Sequence, residues 1–191
     1  MKRAALVLAG TIAVVGCGGK TASKSTIPTG SVGHEACAPF DGSTAKQVSA
    51  TKPTETLLLS AVRVDSEVCA DRVVFDFRPT GDERPGYTVE YLPAAQAQTE
   101  DASGRHLPIA GKAFLVVRFE PAATADLSGA KLEVTYTGPR TIAPAGMRFV
   151  RQVTKTGDFE AVLTWAIGLS KERPFKVTST GSPARLTIEL G

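Results

Sequence analysis

From residue 57 onward the apolar positions recur at every second residue, the period of a strand rather than of a helix. Val73, Phe75 and Phe77 alternate with Val74, Asp76 and Arg78, and Tyr87, Val89 and Tyr91 alternate with Thr88 and Glu90. The same pattern groups Leu115, Val117 and Phe119; Leu132, Val134 and Tyr136; Phe159, Ala161, Leu163, Trp165 and Ile167; and Leu186, Ile188 and Leu190. Successive side chains of an extended chain point to opposite faces, so each run predicts one buried and one solvated face. Breakers stand between the runs: Pro79-Thr80-Gly81, Arg84-Pro85-Gly86, Ser128-Gly129, Thr137-Gly138-Pro139, Thr156-Gly157-Asp158 and Thr180-Gly181-Ser182-Pro183. The prediction is a mainly β chain, an antiparallel β-sandwich or partly closed barrel of about eight to ten strands. Helical periodicity is nearly absent, and 122–127 is the best place for one short helical turn.

The amino terminus follows a different pattern. Lys2 and Arg3 precede an apolar run over 4–15, which is too short to span about 30 Å of hydrocarbon and suits a cleaved export signal. Val14-Val15-Gly16-Cys17 closes it and resembles the lipobox of bacterial lipoproteins. The resemblance implies removal of 1–16, acylation of Cys17 with diacylglyceryl and palmitate-type chains, and tethering to the outer face of the cell membrane. Acyl chains add about 0.8 kcal/mol per buried methylene, and stable anchoring takes more than one chain. The competing reading is a secreted protein in which Cys17 is an incidental thiol. Residues 17–36 are Gly, Ser, Thr, Lys and Pro with few large apolar side chains, so they read as a flexible tether, and 37–191 as the folded domain.

Composition narrows the function classes. The 191-residue chain carries 22 basic and 19 acidic residues; without Lys2 and Arg3 the balance is 20 against 19, a net +1. That is no footprint for nucleic acid. The 3 cysteines divide into Cys17 for lipid and Cys37 with Cys69 as a disulfide, the ordinary state of paired cysteines outside the cytoplasm. Asp65-Ser66-Glu67 is a turn signal beside Cys69 and places the bond at a sheet end.

Four stretches carry a second resemblance: 57–64, 71–77, 86–91, and a close from Phe175-Lys176-Val177 to Pro183, Arg185, Leu186, Ile188 and Glu189. In this order they resemble the AMIN-like domain of actinobacterial lipoproteins, a relative of the amidase N-terminal domain. The resemblance implies an envelope-associated β-sandwich that recognises peptidoglycan, with an insertion at 92–112 and the cysteine pair belonging to the AMIN-like variant.

No catalytic set is legible. Asp101, Ser103 and His106 supply the residue types of a triad, but they crowd one loop, whereas a triad converges from separate elements. Neither zinc nor calcium spacing occurs, and no cofactor is implied. Sugar recognition pairs an aromatic face with polar groups. Tyr87, Tyr91, Tyr136 and Trp165 are the available aromatics, and Arg118, Arg140 and Arg148 the partners for carboxylates. Tyr136 and Trp165 lie in register with core positions, which leaves Tyr87, Tyr91 and Arg140 as the candidate ligand-binding set. Three functions stay open: first a non-catalytic wall-binding lipoprotein, then a tethered structural or protein-interaction module of the envelope, and last an enzyme.

Lipidation at Cys17 is directly testable. Cells fed a clickable fatty acid should label the protein, and Cys17→Ala should abolish both the label and detergent-phase partitioning. Label and partitioning unchanged in the variant would rule out the anchor.

Overall fold

The computed structural model describes residues 37–78 and 81–191; the signal, Cys17 and the tether lie outside them. Eight strands of five residues or more carry the architecture: β2 (Leu57–Ser66), β3 (Asp71–Phe77), β4 (Tyr87–Tyr91), β5 (Ala113–Phe119), β10 (Val150–Phe159), β11 (Val162–Leu169), β12 (Phe175–Gly181) and β13 (Ala184–Leu190). Five two-residue strands complete it: β1 (Gln47–Val48), β6 (Ala122–Ala123), β7 (Ala125–Asp126), β8 (Glu133–Val134) and β9 (Thr141–Ile142). A six-stranded sheet runs β1-β4-β5-β11-β10-β9, a five-stranded sheet runs β12-β13-β3-β2-β6, and β7 and β8 form a separate ribbon. All pairings are antiparallel except β2 with β6. The fold is a sandwich, and Ala36–Gly191 is a compact unit with its own core.

Period two explains the core. Val73, Phe75 and Phe77 from one sheet face Val117, Phe119, Leu163 and Trp165 from the other, all buried. Phe75 meets Phe119 and Trp165 edge-on at 5.0 and 5.8 Å, and Trp165 meets Tyr136 at 5.5 Å, the orientation that ring quadrupoles favour. In β2 the buried positions Leu57 and Leu59 change phase to Val62 and Val64, because a bulge at Ser60 inserts one residue opposite β3.

A buried carboxylate joins the two sheets at one end. Asp71, the first residue of β3, has no exposed surface and accepts N–H bonds from Arg148, Phe149 and Val150 at 3.1, 2.6 and 2.8 Å. At the neighbouring turn Cys37 is bonded to Cys69, with the Cα atoms 5.6 Å apart. Closing a loop of 32 residues stabilises by about 3 to 4 kcal/mol in the chain-entropy model. Backbone bonds between Ser43 and Phe175 (2.9 and 3.1 Å) let the segment leading into β1 strap one side of the sandwich and cover the β12 edge.

Four local expectations are corrected. Residues 122–127 form β6 and β7 rather than a helical turn, because Leu57 and Leu58 offer a strand partner. The helix is α1 (Ala94–Ala97), started by Pro93 and built of good helix formers. Leu132 and Val134 are 63% and 53% exposed, since β8 pairs only with β7 and joins neither main sheet, although Tyr136 is buried as its position predicts. Thr156-Gly157-Asp158 is no turn but a bulged part of β10. The turn falls at Glu160 and Ala161, both at positive φ (52° and 58°), and this ends the run predicted from Phe159. Neither residue type signals such a turn, which normally takes Asn-Gly.

Replacing Asp71 with Asn puts an amide donor against amide donors and removes the charge. Asp71→Asn should lower unfolding free energy by about 3 kcal/mol or more, read from the urea midpoint at unchanged m. A loss under about 1 kcal/mol would show that the three N–H groups find other partners.

Candidate functional site

The insertion at 92–112 leaves β4, crosses the outer face of the six-stranded sheet and returns into β5. Its first part is held by apolar packing: Leu92, Ala97 and Ile109 cover Phe114, Val116 and Ala166. Its second part is a polar loop sewn to β10 through the Asp101 N–H, which donates to the Thr156 carbonyl at 2.9 Å. Gln152 adds a stitch, accepting from the Ala110 N–H at 3.0 Å. Ala102 and Gly104 take positive φ at the loop tip (66° and 68°).

Three depressions follow the loop. The first, 220 Å³, lies beside α1 over Thr88, Arg118 and Thr164 and is walled by Gln96, Thr99 and Asp101. The second, 270 Å³, is lined by Asp101, Arg140, Lys155, Asp158 and Phe159. The third, 450 Å³, holds His106, Pro108, Gln152 and Arg140. Asp101 and Thr156 border the first two and Arg140 the last two, so they form one trough. A β-carbon at Gly157, at the divide, would overlap the Asp101 carboxylate, so any larger residue there displaces that side chain.

Charge is unevenly committed along the trough. Glu100 is held at about 2 by the Ser103 hydroxyl and by Arg140 and Arg105, whose donors all converge on its carboxylate. Lys155 Nζ lies 3.2 Å from both Asp158 and the Thr124 hydroxyl. Among the described residues, the Asp101 carboxylate accepts no hydrogen bond from a side chain or amide. Arg118 has only Glu120, at 3.7 Å.

Tyr87, Tyr91 and Arg140 do not share a surface. Both tyrosines are on the inner face of β4 with buried Val89 and pack against the core, where burial raises both phenols above their usual range. The Tyr91 hydroxyl donates to the Arg173 carbonyl at 2.8 Å and accepts from the Arg173 N–H at 3.0 Å, which makes it a lock between segments. Arg140 lies at the β9 end, with β5, β11 and β10 between it and β4, roughly 19 Å across the sheet. Asp101, Ser103 and His106 share the loop, but among the described residues no side-chain hydrogen bond joins them: the Ser103 hydroxyl donates to Glu100, Asp101 faces Gly157, and His106 lines the third depression. Among the described residues no group of His, Cys, Asp and Glu is gathered for a metal ion. The residue missed by sequence reasoning is Phe159, 58% exposed in the second depression. Period two carries it inward, and only the unsignalled turn after it turns it out.

The Glu100 carboxylate, with its folded value below the ordinary 4.5, holds the loop most firmly above that pH. The hold should weaken as pH falls from 4.5 towards about 2. A carbon-13 titration should place the Glu100 midpoint near 2, and Glu100→Gln should speed amide exchange over 99–106 at neutral pH. A midpoint near 4.5 with unchanged exchange would remove Glu100 as the fastener.

No curated protein and no solved structure matches the chain. Among the described residues no helix is long and apolar enough to cross a membrane. The family model of the AMIN-like domain matches residues 57–191, from the start of β2 to the last residue. The match takes in the five-stranded sheet, all of the six-stranded sheet but β1, and the whole trough, and it leaves Cys37 outside. With well over half of its length under that one model, the chain belongs to the AMIN-like domain family.

Proposed function

We infer that the chain is a lipid-anchored module of the bacterial envelope whose β domain holds cell-wall glycan without hydrolysing it. The observation that carries this reading is Phe159, an exposed aromatic ring in a 270 Å³ depression beside Arg140, Lys155 and Asp158. A sugar ring has an apolar C–H face for such a ring and a hydroxyl rim for such polar groups. Membership of the AMIN-like family supports an envelope location, and the lipobox-like Val14-Val15-Gly16-Cys17 supports the anchor. Anchoring confines the domain near the wall at high effective concentration, so weak contacts suffice. The separation of Asp101, Ser103 and His106 into different contacts supports binding over hydrolysis.

A second reading rests on the β7–β8 ribbon. Leu127, Leu132 and Val134 are exposed there near a 560 Å³ depression, an apolar surface suited to a protein partner.

Cosedimentation with purified wall separates the two. The chain from Gly18 should pellet at physiological salt above an unrelated sandwich domain of equal charge. Phe159→Ala should weaken pelleting about threefold to tenfold, the worth of one aromatic contact. Pelleting equal to the control ends the glycan reading and leaves the ribbon.

A further inference from the structure

The depression beside α1 contains a group that the fold leaves without a partner. Thr164 is 7% exposed, and its hydroxyl makes no hydrogen bond. Three other buried threonines are satisfied: Thr135 donates to the Leu59 carbonyl, Thr154 pairs with Thr141, and Thr124 with Asp158. A hydroxyl removed from water without a partner is unfavourable, and a valine of the same shape avoids it. Thr164 lies on the outer face of β11, since Leu163 and Trp165 on either side point into the core. It lines the 220 Å³ cavity where the cover of α1 over Ala166 ends.

The register arranges charge about that hydroxyl. Thr88 opposes Arg118, Arg118 opposes Thr164, and Thr164 opposes Gly157, one row across four strands. Arg118 thus stands one strand to one side of Thr164, and Asp101, lying over Gly157, one strand to the other. Neighbouring strands are about 4.8 Å apart, so the Arg118 and Gly157 backbones are about 10 Å apart. Arg118 has charge to offer: Glu120 is closer to Lys52 (3.2 Å) than to Arg118 (3.7 Å), and Glu90 is paired with Lys46 at 3.0 Å. A guanidinium fork suits a carboxylate, the Thr164 hydroxyl suits a ring oxygen or hydroxyl, and the Asp101 carboxylate suits an N–H or O–H donor.

We propose that this cavity is a subsite for a carboxylated amino sugar, whose acid pairs with Arg118, whose ring meets Thr164 and whose amide or hydroxyl donates to Asp101. The adjoining depression at Phe159 shares Asp101, so a glycan alternating a neutral and a carboxylated sugar lies across both. This rests on the glycan reading above and names the sugar that the reading leaves open.

The test titrates the chain from Gly18 with N-acetylmuramic acid, N-acetylglucosamine and D-alanyl-D-alanine, followed by amide and arginine side-chain NMR. N-acetylmuramic acid should shift Thr164 and Arg118, with N-acetylglucosamine at least about tenfold weaker there. Arg118→Gln should weaken the acidic sugar by a similar factor while the spectrum keeps its native dispersion. Thr164→Val should weaken it too and leave the melting temperature equal or higher, which a merely structural hydroxyl would not do. Equal response to both sugars, or no shift at Thr164 and Arg118, overturns the subsite. Tighter binding of the dipeptide at the same residues overturns the sugar in favour of a peptide terminus. Wall pelleting that needs Phe159 but not Arg118 sinks this inference alone; acidic-sugar binding without wall pelleting sinks the wall reading and leaves the subsite.

Discussion

Asp71 imposes the constraint on which the arrangement of both faces depends. Its carboxylate belongs to β3 of one sheet, yet all three of its amide partners lead into β10 of the other. The β10–β11 ladder has two irregularities, between Val150 and Gln152 and between Lys155 and Gly157, so that ladder alone leaves the phase of β10 loosely set. An acceptor with no exposed surface, matched to three consecutive N–H groups, sets it from the far sheet. Lys155, Gly157 and Phe159 on the trough follow from that anchoring.

The inner and outer faces divide the chemistry. Inside, Trp165, Phe75, Phe119 and Tyr136 meet edge to face, and the tyrosines of β4 are absorbed into packing or into the Arg173 lock. Outside, the six-stranded sheet presents threonines and an arginine in one row, and the insertion between β4 and β5 roofs them only in part. Apolar packing fixes the α1 half of the insertion, while ion pairing through Glu100 fixes the other. The trough runs beneath both.

Close approach explains residues that pattern reading misassigns. Gly157 resembles a turn glycine, but it clears space for Asp101 within a strand. Glu160 and Ala161 carry no turn signal, yet they take the left-handed conformation that a two-residue hairpin needs. Such positive-φ residues without glycine raise the local energy and persist where the surroundings over-determine them. Here the Ala122 N–H holds the turn by donating to the Ala161 carbonyl at 2.8 Å.

The sequence by itself determined the strand-rich class and most core positions, because burial on one face of a strand leaves a period that local reading detects; the family resemblance rested instead on the residues of four particular stretches. It also named Cys37 and Cys69 as a pair, and Arg118, Arg140 and Arg148 as candidate partners for carboxylates. Only the tertiary structure decided what lies beside what. Tyr91 and Arg140 are separated by three strands, Phe159 faces solvent past an unsignalled turn, and Thr164 is buried without a partner. Each depends on cross-strand register and on a long insertion folding back over a sheet, contacts between residues tens of positions apart that no local period records.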